Sequence, residues 1–595
     1  MFRQSVSNIE SQGDKVFAYK IDENINYDNS VESILISKGV EDTDFFLKPT
    51  IKYNESVKSF QHMREAVDLF MMKLKEDHPR VGVVVDCDCD GYTSAAFMMS
   101  YLLRIQKEFK SDLVLQYYIH DRKIHGLEDV VNEIIDDKLD LLIVPDAATG
   151  NAKECNSLID NGCQVIILDH HPIDPKDNKA IIINNQLEEN IKDKAMTGVG
   201  IVYKFCRAVD NEIGCNWSND YYDLIAVGMI GDKCDLFQNQ SRYYVFRGLE
   251  EISKGISKNL FIKELIQSQS YSMSNKITVN GIAFYICPMI NSLIRLGTRE
   301  EKLLMFEAFC NSDKKLVRKV RGKGEVEMSI QEYVRRACES TNRKQKSITE
   351  ESSEKLSEEI AEYGLNQYPI LVVNAGEEVD SNSTGLIAGR LSSMYKKPCL
   401  LLRENNGVCK GSGRGYLKCE LTDFKAWCKE TGLFFGLDGH ENAFGAQIFT
   451  DKTELLFDLL SRTPAFGDNI YTVCADYEAE NFSGDIVKHI AKYNYVWGCS
   501  VDEPLFVIKG IPIKKSLIQN LGKTNNRIMF KYKNVSFVKF SRSSLLKEYK
   551  EISDLKTEVV EFDVVGVFDI YDGSAQVRIE DWNFRPSSKK VGFLI

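Results

Sequence analysis

Histidine is scarce in this chain, eight among 595 residues, and no two of its 16 cysteines form a C-x-x-C pair. Zinc ribbons and thioredoxin-type sites are therefore unsupported, and reduced thiols in a cytoplasmic protein are the simplest reading. No apolar run approaches a membrane span, and the opening MFRQSVSNIE carries no signal-peptide core, so no membrane partner is expected. Positive charge is not in excess either. Lys and Arg number 75 against 87 Asp and Glu, a net charge of −12, which argues against a protein that coats DNA generally. That objection weakens if much of the acid is committed to metal. Proline is missing from Pro288 to Pro369, and the helical pattern between them predicts that 301–364 is nearly all helix.

What is present begins at Val81. Val81-Gly82-Val83-Val84-Val85 reads as a short buried strand. Asp86, Asp88 and Asp90 follow at alternate positions, then Gly91. Tyr92–Phe109 reads as a helix with Ala95, Ala96, Met99, Leu102 and Leu103 on its apolar face. Strand, acidic turn and helix put the carboxylates at the carboxyl end of a parallel strand, where open α/β sheets bind ligands. Three carboxylates so close repel unless a cation neutralises them, and oxygen donors suit Mg2+ or Mn2+. An EF-hand loop is excluded, because its twelfth position is Phe97 rather than glutamate and a strand precedes it. The aspartyl-phosphate motif D-x-D-x-T is excluded by Asp90 in the threonine place.

The expected architecture is α/β. An N-terminal arm (1–55) precedes a doubly wound parallel sheet (56–320), with strands at Val81–Val85, Leu113–Ile119, Leu141–Val144, Gln164–Leu168 and Ala180–Ile183. A helical connector (321–365) follows, then a smaller α/β unit (366–465) and a β-rich tail (466–595). The run KKLVRKVRGKG, with Arg335, Arg336, Arg343, Lys344 and Lys346, is either a solvated face or a phosphate track. In the tail, Arg527–Lys533 places Ile528, Phe530 and Tyr532 on one face and basic residues on the other. Val559–Ile570 and Ala575–Glu580 flank the turn Asp572-Gly573. A small antiparallel barrel of OB type fits, and its basic–aromatic alternation suits either single-stranded nucleic acid or a half-buried strand.

Further acidic and imidazole groups stand just after other apolar runs: Asp146, the trio Asp169-His170-His171, and Asp232 with Asp235. With histidine so rare, an adjacent pair beside an aspartate at a strand end is a specific signal. Groups from four segments would supply ligands for two divalent ions.

VDCDCDG, Asp146, LDHHP and GMIGD resemble the four motifs of the DHH phosphoesterase superfamily, and the chain most resembles its RecJ-type single-strand exonucleases. SILISKGVEDTDFFLKP is similar to their N-terminal arm and YYIHDRKIHG to their second strand, with Arg122. FYICPMINSLIRLG is similar to P-x-x-N-A-x-x-R, with Asn291 and Arg295. STGLIAGRLSSMYKKPCLLL, KGSGRG and GLDGHENAFG are similar to the DHHA1 domain, with Ser412, Arg414, Gly439 and His440.

The resemblance implies a fold of DHH, DHHA1 and OB-like domains and hydrolysis of single-stranded DNA from the 5′ end with two Mn2+ or Mg2+ ions, in repair, recombination or replication. By it Asp146 bridges the ions, Asp86, Asp88 and Asp90 serve both, and His170 and Asp232 complete the shells. His171 ligates or meets the phosphate, and Asp169 orients an imidazole. Arg122, Asn291, Arg295, Ser412, Arg414, Gly439 and His440 hold substrate. RNA is the alternative polymer, and a single-strand-binding protein or helicase the expected partner. A phosphodiesterase for short oligonucleotides or cyclic dinucleotides and a non-catalytic nucleic-acid-binding protein are the competing functions. Three departures mark a divergent branch, such as a phage enzyme. Val84 stands where relatives carry histidine, with Asp86 a candidate replacement; Asp235 stands where they carry proline; and Asp438-Gly439-His440 replaces G-G-H.

Overall fold

Buried valines start the architecture. The computed structural model describes residues 17–587 apart from 18, 23–29, 122–123, 321, 323, 377–378, 417, 468–470, 523–524 and 542–543, so Arg122 lies outside the described residues. Strands β1 (Arg80–Val85), β2 (Val114–Ile119), β3 (Leu141–Pro145), β4 (Gln164–Asp169) and β5 (Ile181–Asn184) form one parallel sheet in the order β2-β1-β3-β4-β5. Val81, Val83, Val84 and Val85 are fully buried, as a central parallel strand covered on both faces requires. The chain leaves β1 toward β2 on one side and later returns to β3 on the other, so the order reverses between β1 and β3. A crevice opens there at the carboxyl ends of the strands.

Helix α1 (Cys89–Phe109) follows β1 directly and starts three residues earlier than the sequence pattern predicts. Asp88 is its N-cap and Asp90 lies in its first turn, where the helix dipole favours negative charge. Ala95, Ala96, Met99 and Leu102 are buried as expected, but Leu103 is 41% exposed. The apolar stripe is narrower than the sequence suggests, because the far end of this 21-residue helix emerges into solvent. Helices α2 (Gly198–Ile213), α3 (Tyr222–Gly231), α4 (Asn239–Ser253) and α5 (Cys287–Leu296) complete this unit around the sheet. Among the described residues one helical stretch, Val279–Leu296, is long and apolar enough to cross a membrane, with mean hydropathy 1.3. Over half of it is buried within the protein, as befits a core helix.

The chain divides into two compact units. The first comprises 30–342 and, from far along the sequence, 490–503. That late segment is integral to its unit. Trp497 is fully buried, Val496 O accepts from Arg242 Nη2 at 3.4 Å, and Ser500 Oγ donates to Asp235 Oδ1 at 2.5 Å while accepting from Leu236 N at 2.9 Å. Arg242 is itself fully buried, with its guanidinium carbon 3.4 Å from the Phe46 ring centre and 4.2 Å from that of Phe246. Its Nε donates to Phe46 O at 2.8 Å. Replacing it by methionine would keep the packing and leave buried carbonyls without donors. Arg242→Met is expected to cost about 3 kcal/mol in a denaturant titration, and a loss below about 1 kcal/mol would contradict this account.

The expectation of nearly continuous helix over 301–364 is not met. Lys315–Val320 (β6) and Gly324–Ser329 (β7) form an antiparallel hairpin before helix α6 (Ile330–Glu362) begins. Gly322 and Gly324 have φ of +79° and +75°, and this left-handed backbone turns the chain back where a helix would have to continue. The basic residues of the connector are partly spent in ion pairs: Arg335 meets Glu339 at 2.8 Å and Glu264 at 3.4 Å, and Arg336 meets Glu332 at 2.8 Å.

Among the described residues the second unit holds two large sheets and a two-stranded one, Tyr19–Ile21 paired in parallel with Tyr471–Val473. Strands β8 (Leu371–Asn374), β9 (Cys399–Asn405), β10 (Val408–Arg414), β11 (Phe434–His440) and β12 (Ala443–Phe449) order as β11-β12-β10-β9-β8, with helix α7 (Thr384–Tyr395) leading into β9. The tail forms a seven-stranded sheet of β13 (Ala475–Glu478), β14 (Phe506–Lys514), β15 (Gln519–Leu521), β16 (Arg527–Tyr532), β17 (Val535–Phe540), β18 (Val559–Tyr571) and β19 (Ser574–Pro586). The run 506–521 pairs with β18 through its first part and with β16 through its last, while β17 and β19 run parallel. This closes a five-stranded Greek-key barrel of the OB type, with β13 added at an edge. Ile528 and Phe530 face its core, where Phe530 stacks on Phe562 at 4.7 Å. The half-buried strand, not a free aromatic face, accounts for their spacing. Asp572 and Gly573 have φ of +48° and +72°, as a tight two-residue hairpin turn requires.

Candidate active site

The crevice between β1 and β3 gathers residues from four segments. Asp88 Oδ1 accepts from Gly91 N at 2.9 Å, and Asp90 Oδ1 accepts from Val199 N at 3.3 Å. Asp146 stands just beyond β3 with φ of +64°, a left-handed conformation that aspartate tolerates better than most residues. His170 Nε2 lies 3.1 Å from Asp146 Oδ1 and 3.7 Å from Asp232 Oδ2. Asp232 is the C-cap of α3. Possible ligand atoms fall into overlapping groups, each within 4.8 Å: Asp86, Asp88 and Asp146; Asp146, His170 and His171; and Asp86, Cys87 and His125. Asp146 is common to the first two.

Burial and mutual repulsion act together on these carboxyls. Burial, then the Asp88 charge, pushes Asp90 up to about 7. Burial, then Asp90 and Asp88, pushes Asp232 up to about 8. Asp146 is raised well above the ordinary range by burial and by the aspartates around it. Asp90 Oδ2 and Asp146 Oδ1 are buried oxygens without a hydrogen-bond donor; His170 approaches the latter without meeting hydrogen-bond geometry. Orphaned, crowded carboxylate oxygens beside imidazoles are the donor set that a pair of divalent cations fits.

Asp169 does a different job. Its Oδ1 accepts from His170 N at 2.7 Å and lies 2.8 Å from His171 Nδ1; its Oδ2 accepts from Thr149 N and Oγ1 at 3.1 and 2.6 Å. Burial alone would raise its pKa, yet the bonds from His171 and Thr149 and the charges of both histidines hold it below the usual carboxylate range. Burial pulls His171 down, and the Asp169 partner more than offsets this, raising it to about 9. Asp169 is thus paired with a neighbouring imidazole.

Two glycines make room for the carboxylates. A Cβ on Gly198 would meet Asp146 Oδ1 at 2.4 Å, and one on Gly228 would meet Asp90 Oδ1 at 2.6 Å. Arg295, on α5, is largely buried, which lowers its pKa, and Asp88 and Cys87 are the groups that act on its charge. Asn291 stands one helical turn before it. Asp235 is turned to Ser500 and Phe237 N rather than to the cluster. In the second unit Ser412 Oγ is 2.9 Å from Thr384 Oγ1, and a Cβ on Gly385, at the start of α7, would meet Arg414 Nη2 at 2.4 Å. Arg414 and His440 both register opposite Ala443 from the two sides of β12, next to Gly439 with φ of +121°. These four sequence-selected residues thus lie toward one end of their strands.

His125 was not singled out by the sequence. Its Nδ1 lies 2.6 Å from Asp86 Oδ2, and that bond raises it to about 11. Gly198 was missed too, since nothing local marks a glycine that clears space for a carboxylate 52 positions earlier.

The family model of the DHH family N-terminal domain matches residues 80–229, from β1 nearly to the end of α3. A Bacillus subtilis protein named as an SPbeta prophage-derived single-strand DNA-specific exonuclease, YorK, is 31% identical over 528 residues, 87% of this chain and 89% of the relative. The chain belongs to the DHH family. The Bacillus subtilis single-stranded-DNA-specific exonuclease RecJ is 25% identical over 464 residues, 74% of this chain and 52% of that protein. Among solved structures, RecJ from Thermus thermophilus in complex with Mn2+ superposes with a TM-score of 0.68 at 20% identity, over 92% of this chain and 75% of the other. The DHH match takes in Asp86, Asp88, Asp90, Asp146, Asp169, His170 and His171, and Asp232 lies just past its end.

Proposed function

We propose that this chain is a divalent-metal-dependent exonuclease that degrades single-stranded DNA from the 5′ end. The observation that carries the reading is the convergence of Asp86, Asp88, Asp146, His170 and His171 in overlapping ligand groups with orphaned buried oxygens. The names of the relatives supply the substrate. Two Mn2+ or Mg2+ ions bound there would neutralise the carboxylates and supply an activated water and charge for phosphodiester cleavage. Asp146 would hold both. Asp86 and Asp88 would share one group with it and His170 and His171 the other, with Asp90 serving both ions and Asp232 completing a shell. Asp169 fixes the ring of His171, and Arg295 offers a guanidinium for a phosphate oxygen beside the carboxylates. The test is a gel with 5′- and 3′-labelled single strands, with and without chelator, beside a cyclic dinucleotide. Release of the 5′ label as a short product, only with Mn2+ or Mg2+, is expected. Cleavage of the dinucleotide alone would overturn the polymer reading.

Ser412, Arg414, Gly439 and His440 are assigned to the strand's terminal phosphate. Arg414→Ala is expected to lower kcat/KM roughly ten- to hundredfold, the size of a lost charge-assisted contact of about 1.5–3 kcal/mol, with Mn2+ affinity unchanged. The loss should shrink on a strand without its 5′ phosphate. Equal loss on both strands would remove Arg414 from that role.

A further inference from the structure

Asp86 is a carboxylate almost without solvent, 1% exposed, and needs a partner that fixes its direction. Its Oδ2 is taken by His125 Nδ1 at 2.6 Å, and its Oδ1 lies 3.4 Å from Gly126 N. With one oxygen so engaged the carboxylate cannot turn about its Cβ–Cγ bond without breaking the contact. The same carboxylate shares a ligand group with Asp88 and Asp146.

The imidazole is itself held. Cys87 Sγ lies 3.8 Å from both ring nitrogens, an equidistance that places the sulfur over the ring rather than along a lone pair. Gly126 has φ of +99°, and a Cβ there would meet Asn151 Oδ1 at 2.1 Å, so the turn that delivers His125 is seated against the segment after β3. Beneath it Val84 packs in one apolar cluster with Leu127 and Val130. The strand thus offers hydrocarbon at position 84, and the ring reaches the site from the loop that covers it. Half of the His125 side chain, 48%, remains exposed, so the ring forms the rim of the site.

We propose that His125 is the positioning residue of the metal centre, holding Asp86 in the orientation in which it binds a divalent ion. The inference rests on the two-metal reading of the site. It assigns a function to a residue outside the aspartate and histidine motifs, by the rule that partners of ligating carboxylates set metal affinity.

The test is calorimetric Mn2+ titration of chelator-treated full-length protein, as wild type, His125→Ala and His125→Asn. Asparagine can offer an N–H near the place of Nδ1. His125→Ala is expected to weaken Mn2+ binding about 10–100-fold, with a thermal unfolding midpoint close to wild type in chelator. His125→Asn should recover affinity to within about threefold of wild type, and raising Mn2+ should restore most of the kcat of the alanine variant. Unchanged affinity in His125→Ala, with nuclease activity present in the wild type, overturns the inference alone. Equal defects in both variants also overturn it, since the imidazole would then bind the ion itself. A wild type that binds no Mn2+ overturns the two-metal reading together with it.

Discussion

Asp146→Asn is expected to lower kcat by more than about a hundredfold while leaving the fold intact. Asparagine is nearly isosteric and tolerates the left-handed backbone at φ +64°, so the change removes charge and little else. The loss is large because Asp146 belongs to both ligand groups, one with Asp86 and Asp88 and one with His170 and His171. Gly198→Ala should approach the same defect, since the added methyl would have to displace the Asp146 carboxylate that lies 2.4 Å from its place. Single-turnover rates at saturating Mn2+ are the measurement. An Asp146→Asn variant with more than about a tenth of the wild-type rate would move the shared ligand elsewhere.

Stripped of metal, the protein should be less stable at pH 8 than at pH 5.5. Asp90 rises from 3.8 unfolded to about 7 folded, and Asp232 to about 8. A raised folded pKa means that the native state binds more protons than the unfolded chain between about pH 4 and pH 8. Stability from these groups is complete below the unfolded pKa and is lost as pH climbs through the folded one. His171, raised to about 9, acts in the same direction above its unfolded pKa. One pKa unit is about 1.4 kcal/mol, and within this window Asp90 stays protonated in the folded state only from pH 5.5 to about 7, so it alone sets a scale on the order of 2 kcal/mol. Mn2+ should abolish the difference, because cations replace protons as the neutralising charge. Asp146→Asn in chelator should be more stable than wild type at pH 8. Thermal unfolding at both pH values, with chelator and with Mn2+, decides; equal midpoints in chelator would show that the carboxylates do not repel as described.

Much of this cluster is legible in the sequence. Asp86, Asp88, Asp90, Asp146 and the Asp169–His171 trio announce themselves because each follows a short apolar strand, and a parallel sheet brings all such ends to one rim. The strands themselves fall within a residue or so of their expected bounds. The illegible parts depend on approach in space. His125 follows β2 after a loop with no periodic signal, and only the fold sets it on Asp86. The hairpin Lys315–Ser329 was hidden because its alternation is written mostly in charge, with Val317 59% exposed, so no apolar face marks a strand. Leu103 misled in the opposite sense, being apolar at helical spacing on a turn that has run past its core.

The late segment 490–503 has a consequence for how the molecule is made. Trp497 and the cap that Ser500 places on Asp235 and Leu236 belong to a unit whose other residues end at 342. On the ribosome, where domains fold in order of emergence, the sheet and its carboxylates leave the tunnel long before the piece that closes over α4 and the loop after Asp232. A nascent chain therefore lacks the tryptophan that is buried in this unit until residue 503 has emerged. A message truncated before codon 490 would yield every acidic and imidazole group of the centre, in a body still missing its last wedge.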